Sequence, residues 1–401
     1  MIVPEGWSLV RVRDVATISS GGTPDRTIDS YWNGEIPWVT TSEIDFCTIF
    51  ETSQAITQEG LKRSAAKCFP EGCLLIAMYG QGKTRGKVAM LGVTAATNQA
   101  CAAVLLKKNH DPNYFFQYFQ NNYYKLRSFS NGGSQDNLSA GIIKAFPVVV
   151  PPIKEQTAIA AILSTWDRAI EKTVALIAAK ERRKAGLMQR LLTGKVRFGE
   201  FAGEAWKEVP LGTLFEPVTD TVGDKDIPPY SISAGIGFVS QREKWGKDIA
   251  GRQYASYTHL RKGEFAYNKG NSKKYQCGCA YLLRDQDEIS VPNVFISFRP
   301  KSDEVSADFY EHFFVGDYHA RELKRYITSG ARSDGLLNLN KKDFFKINVP
   351  CPSPREQEAI AKVLNAAVAE IEEHRNQLAA LKEQKKGLMQ QLLTGKVRVK
   401  S

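Results

Sequence analysis

Apolar residues recur at alternating spacings of four and three along two stretches of the chain. In the first stretch they fall at Ile159, Leu163, Trp166, Ile170, Ile177, Leu187 and Leu191. In the second they fall at Ile360, Leu364, Ile371, Leu378, Leu381, Leu388 and Leu392. This is the spacing of a coiled-coil seam, and it predicts two long helices. Polar residues at Thr173, Lys184, His374 and Lys385 interrupt the seam and could fix its register at some cost in stability. Pro152 and Pro354 sit where a first helical turn tolerates proline, and Gly194 and Gly395 follow the last leucines, where a left-handed cap suits glycine. A helix of roughly 35 residues spans about 52 Å.

The two stretches are copies. Glu155-Gln156-Thr157-Ala158-Ile159-Ala160 returns as Glu356-Gln357-Glu358-Ala359-Ile360-Ala361, and Gly186-Leu187-Met188-Gln189 through Lys195-Val196-Arg197 returns as Gly387-Leu388-Met389-Gln390 through Lys396-Val397-Arg398, at a constant offset of 201. A segment that repeats without insertion or deletion behaves as a mechanical element of fixed span. A fainter match, Trp7 to Val12 against Trp206 to Leu211, opens each half. The chain therefore divides into a head at 1–150, a helix at 151–198, a second head at 199–350 and a second helix at 351–401. The helices are natural antiparallel partners of one another; the competing arrangement packs each on its own head.

Each head mixes short strands with turns and an aromatic-rich helix. Cys73–Met78, Lys87–Met90 and Cys101–Leu106 read as buried strands in the first, and Phe265–Tyr267 and Val294–Phe298 in the second. Tyr114–Phe129 and Phe309–Tyr326 read as helices. The fold class is α+β: two α/β heads separated by two long helices that pair as an antiparallel coiled coil.

The polar loops hold the candidate chemistry. Gly80-Gln81-Gly82-Lys83-Thr84-Arg85-Gly86-Lys87 follows a strand and superficially resembles a phosphate-binding P-loop. That spacing needs glycine at Ala77, however, and no helical pattern follows. Lys83, Thr84, Arg85 and Lys87 instead suit contact with DNA phosphates or base edges, against the plainer reading of a solvated hairpin. Lys269, Asn271, Ser272, Lys273, Lys274 and Tyr275 occupy the corresponding place in the second head. A later polar loop in each head adds Ser134, Gln135 and Asn137, and Arg332 and Ser333. Glutamine and asparagine can pair with adenine and arginine with guanine, although these residues also favour turns for local reasons.

Charge supports a polyanionic partner: 54 Lys and Arg against 43 Asp and Glu leave a net charge of +11. The 7 cysteines show no paired framework, the opening residues carry no apolar signal run, and no stretch approaches a membrane span. These features fit a reduced, cytoplasmic protein with no membrane association. No catalytic constellation emerges. Pro228-Pro229-Tyr230 resembles part of an amino-methyltransferase motif, but Ile227 stands where a hydrogen-bonding residue is required. Cys277-Gly278-Cys279 lacks the spacing and the partner pair of a zinc site, so no metal is expected.

The repeated segments together resemble the conserved regions of type I restriction–modification specificity subunits. Ser20-Gly21-Gly22-Thr23-Pro24, Tyr31-Trp32-Asn33-Gly34-Glu35-Ile36-Pro37-Trp38-Val39 and Asn98-Gln99-Ala100 resemble one of that family's target-recognition domains, which adds Thr23 to the candidate DNA contacts. The resemblance implies a subunit that is not itself an enzyme and binds no cofactor. Each head would read one half of a bipartite site in double-stranded DNA, while the helices set the gap and dock two methyltransferase subunits. Those partners use S-adenosylmethionine to methylate adenine N6. Endonuclease–translocase subunits, which use ATP and magnesium, would join this core. Apolar residues that normally face the methyltransferase would leave the isolated chain prone to self-association. The alternative is a coiled-coil scaffold whose heads bind protein.

Overall fold

The computed structural model describes residues 3–80, 82–129, 137–203, 205–246, 251–270, 275–327 and 336–399. Both predicted long helices are present, Ile153–Leu191 and Pro354–Leu392, each of 39 residues. Each ends before a glycine in the left-handed conformation, Gly194 at φ +67° and Gly395 at φ +68°. A Cβ at Gly395 would lie 2.3 Å from Pro4, so close approach of the chain start adds to the requirement for glycine there. Among the described residues no helix is long and apolar enough to cross a membrane.

The chain forms two compact units that cut it differently from the four segments of the sequence reading. One comprises residues 1–174 and 376–401, the other residues 175–375. Each unit thus holds one head, part of the helix beside it and part of the other helix. Within each unit the helical segments run antiparallel. In the first, Glu155 meets Arg398 while Asp167 meets Lys385; in the second, Lys180 meets Glu370 while Arg197 meets Glu356.

In the first unit, Ser8–Arg11 pairs antiparallel with Pro147–Val150, so the first and last strands of the head close on one another. A five-stranded sheet runs in the order Ala16–Ser20, Cys101–Leu106, Leu74–Ala77, Val88–Leu91, Thr48–Ile49. A four-stranded sheet runs Ala55–Ile56, Trp32–Val39, Ala95–Thr97, Lys67–Phe69. Tyr114, Phe115 and Phe119 pack between the large sheet and the helix, where Ile159, Leu163, Met389 and Leu392 join the same core.

The second unit repeats the strand closure and the larger sheet, with two two-stranded sheets in place of the smaller one. Lys207–Pro210 pairs with Asn348–Cys351. A four-stranded sheet runs Phe215–Pro217, Ile296–Pro300, Phe265–Asn268, Cys279–Leu282. Its core joins Phe265, Phe298, Phe309 and Phe314 to Met188, Leu191, Ile360 and Leu364.

The structure modifies two expectations. The aromatic helices are broken: Pro112–Asn121 and Tyr123–Ser128 flank Asn122, whose side-chain amide donates to Tyr118 O at 2.9 Å. Ala307–Val315 ends at Gly316, and the next residue, Asp317, takes φ +61°. The buried stripe on the long helices is also broader than the seam. Ile159, Leu163, Leu191, Ile360, Leu364, Ile371 and Leu392 are buried, whereas Trp166, Ile170, Ile177, Leu187, Leu378, Leu381 and Leu388 are half-buried. Ala160, Met188, Leu192 and their copies Ala361, Met389 and Leu393 are buried beside them. A helix that faces both a partner helix and a head buries more than a two-in-seven seam.

Candidate nucleic-acid interface

The basic glycine-rich segment of the first head is the turn of a hairpin between Leu74–Ala77 and Val88–Leu91, not the strand-to-helix junction of a P-loop. The second head carries the matching hairpin, Phe265–Asn268 with Cys279–Leu282. The two connections are of equal length, although their sequences share little. Each turn is tied to the later polar loop by a backbone hydrogen bond at the same place. Leu138 N donates to Met78 O at 3.0 Å in the first head, and Leu337 N donates to Lys269 O at 3.0 Å in the second. Leu138 and Leu337 are buried and anchor those connections. In each head the start of the hairpin turn therefore meets the end of the later polar loop.

In the first head the turn is braced from behind. Arg127 donates to Gly82 O, to Arg85 O at 3.4 Å and to Tyr123 Oη at 3.0 Å, while Tyr123 Oη donates to Lys83 O at 2.6 Å. Gly80, Gly82 and Gly86 take positive φ, which lets the backbone fold onto this brace. Lys83 is exposed; Thr84, Arg85 and Lys87 are half-buried, and Lys87 pairs with Asp45 at 2.5 Å. Tyr123 and Arg127 were not legible as part of the site because they belong to a segment that reads only as an aromatic-rich helix. The only available sign was their basic and polar character beside Leu126.

Thr23 joins the same end of the head. Its hydroxyl donates to Gln99 Oε1 at 2.6 Å, and the neighbouring Ala100 O accepts from Met78 N at 2.9 Å. The Gly21-Gly22 pair allows this approach: Gly22 N donates to Thr97 O, and a Cβ on Gly21 would lie 1.9 Å from that same oxygen. Trp38 Nε1 donates to Gly22 O at 3.1 Å, and Arg26 lies over Trp32 and Trp38 at 4.7 and 5.4 Å. Arg26 is a further exposed cation that the sequence analysis did not single out.

Asn137 begins the described chain after the first polar loop and is exposed. Lys269 is half-buried at the start of the second turn, and Tyr275 is buried with its hydroxyl donating to Val315 O at 3.3 Å. Tyr275 is thus a packing residue in this structure. Ser134, Gln135, Asn271, Ser272, Lys273, Lys274, Arg332 and Ser333 lie outside the described residues.

The CGC segment is buried. Cys279 belongs to a hairpin strand and Cys277 precedes it, and burial pushes both thiols up, Cys279 to about 11. Nearby His319 is wholly buried between Tyr267 and Phe314. Burial lowers its pKa to about 3, so it is neutral at physiological pH. Among the described residues no group of three or more His, Cys, Asp or Glu could hold a metal ion.

The repeated helix residues explain themselves in pairs. Glu155 accepts from Trp7 Nε1 at 2.9 Å and is gripped by Arg398 through two nitrogens at 2.7 and 2.9 Å. Glu356 accepts from Trp206 Nε1 at 2.9 Å and from two nitrogens of Arg197 at 2.8 and 2.7 Å. Gln156 and Gln357 each accept from the backbone at the start of an aromatic helix and donate to a proline carbonyl.

The model of the type I restriction modification DNA specificity domain matches residues 4–178 and 252–383. The chain belongs to that family. As a type I specificity subunit it resembles the MjaVIII specificity subunit of Methanocaldococcus jannaschii, with 24% identity over the whole chain and 95% of that protein. Over 174 residues it is 26% identical to the MjaIX specificity subunit of the same organism, a match covering 42% of this chain and 40% of that protein. Its fold is similar to the crystal structure of the type I S subunit from M. genitalium, at a TM-score of 0.59 and 15% identity over 97% of this chain and 96% of that one.

Proposed function

We propose that this specificity subunit reads a bipartite target in double-stranded DNA, one half through each head. The observation that carries the reading is the repeated construction of the loops. Two heads of divergent sequence present a hairpin turn and a later polar loop joined by the same backbone hydrogen bond. A shared frame with different loop side chains is what two different half-sites require, since bases are told apart by side chains at their edges.

The division of labour follows the four segments. Heads at 1–150 and 199–350 read; spacers at 151–198 and 351–401 fix the gap and dock two methyltransferase subunits, with endonuclease–translocase subunits added to that core. In the first head Lys83, Thr84, Arg85 and Lys87, with Thr23 and Asn137, meet the duplex. In the second, the corresponding turn from Lys269 to Tyr275 and the loop at Arg332 and Ser333 do so, with Tyr275 acting as a buried support. Ser134 and Gln135 complete the first set. The chain performs no chemistry. S-adenosylmethionine serves the methyltransferase, ATP and magnesium serve the endonuclease, and the assembly works in the cytoplasm. The excess of basic residues supplies affinity that weakens as salt rises.

The test is a base-resolution methylation map of DNA from cells co-expressing the chain with its methyltransferase partner. The expected result is N6-methyladenine in both halves of one bipartite motif, absent when the chain is omitted. An assembled complex that leaves DNA unmethylated would overturn the reading.

A further inference from the structure

A cleft of about 600 Å³ opens in the first unit between the hairpin turn and the second long helix. Lys83 and Lys87 line it from the turn, Tyr124 and Arg127 from the helix Tyr123–Ser128, and Lys386 from the long helix; Met389 also lines it. Four cations thus surround a space that, among the described residues, no carboxylate lines. Not all of them are free. Arg127 is committed to the turn's carbonyls and Lys87 to Asp45. The Lys83 ammonium has no hydrogen bond or ion pair among the described residues. Among the described residues Lys386 meets only Glu383, at 3.4 Å, with both side chains mostly exposed, an arrangement worth little in water. Tyr124 is 80% exposed on the rim.

We propose that this cleft binds a backbone phosphate of duplex DNA as it leaves the first half-site along the helix. Lys83 and Lys386 contact it from opposite walls, and Tyr124 packs against the adjoining sugar. The inference rests on the reading that the heads bind DNA and adds a contact outside the recognised bases. An unpaired ammonium at Lys83 and a weakly paired one at Lys386 favour an anion between them. A phosphate contact positions the duplex without reading it, so it can be made from a spacer helix whatever sequence the head reads. The position of Lys386 in the other copy of the helix is Ala185, so the contact belongs to the first half-site alone.

The experiment uses the methyltransferase complex of the full chain carrying Lys386→Gln, with Lys386→Arg as the conservative control. Binding to a duplex with the mapped target is followed by fluorescence anisotropy across a salt series. Lys386→Gln is expected to weaken binding and to make the slope of log affinity against log salt shallower by about one, the signature of one lost phosphate contact. The methylated motif stays the same, and Lys386→Arg restores the slope. An unchanged slope or an altered motif would overturn the proposal. Weaker assembly with the methyltransferase at an unchanged slope would do the same and make the cleft a protein-docking site. A wild-type complex that methylates no motif would instead sink the reading of the heads.

Discussion

Glu155 shows how a single repeated residue holds a unit together. Its carboxylate is buried, yet it accepts from the indole of Trp7 at the head's start and from Arg398 beyond the end of the second helix. Removing it leaves the buried Trp7 N–H without its acceptor, which costs about 1–3 kcal/mol. Glu155→Ala should therefore lower the urea midpoint of the full chain, and Trp7→Phe in the same background should add less than it does alone. The pH dependence has a definite sign. The Arg398 hydrogen bond, with help from Trp7, holds the Glu155 carboxyl below its ordinary value of 4.5, against the opposing effect of burial. A depressed folded pKa contributes stability that is fully present above the unfolded value and is lost as pH falls through the folded one. Acidification below about 4.5 should thus erode the wild-type chain more than Glu155→Gln. Equal acid sensitivity in the two would show that the carboxylate is not what the arginine and tryptophan hold.

At the scale of elements, the long helices were the most legible part of the sequence, because 39 residues hold many turns of the four-three spacing from which to read one face. Their partners were less legible. Lys385 stood out as a polar break in the seam, but its function comes from the fold: buried, it pairs with Asp167 at 2.5 Å and reaches Gln120 of the first head at 3.2 Å. The second unit contains another buried polar link between head and helix. His312 bonds Asn365 at 2.7 Å, and Asn365 donates to Asp308 at 2.8 Å. No local pattern encodes such links, since their partners are distant in sequence. The candidate loops were legible as glycine-rich basic segments, but the brace of Tyr123 and Arg127 was not, because an aromatic helix looks like core whichever way each side chain turns. Constant helix length leads to a prediction at this scale. Four residues inserted near position 174 of the first helix add about 6 Å of helix, between one and two base-pair steps. The methylated motif should keep both half-sites and lengthen its gap. An unchanged gap would remove the ruler function.

At the scale of the molecule, two heads on one repeated frame make a modular reader, in which each head closes on itself by pairing its own first and last strands. Closure of that kind allows one head to change without unpicking the other. The most direct measurement is the methylation map of a chimera in which residues 1–150 are replaced by the equivalent head of another family member. The account predicts that one half of the bipartite motif changes, while the other half remains the wild-type sequence. A change in both halves, with the complex assembled and active, would contradict it.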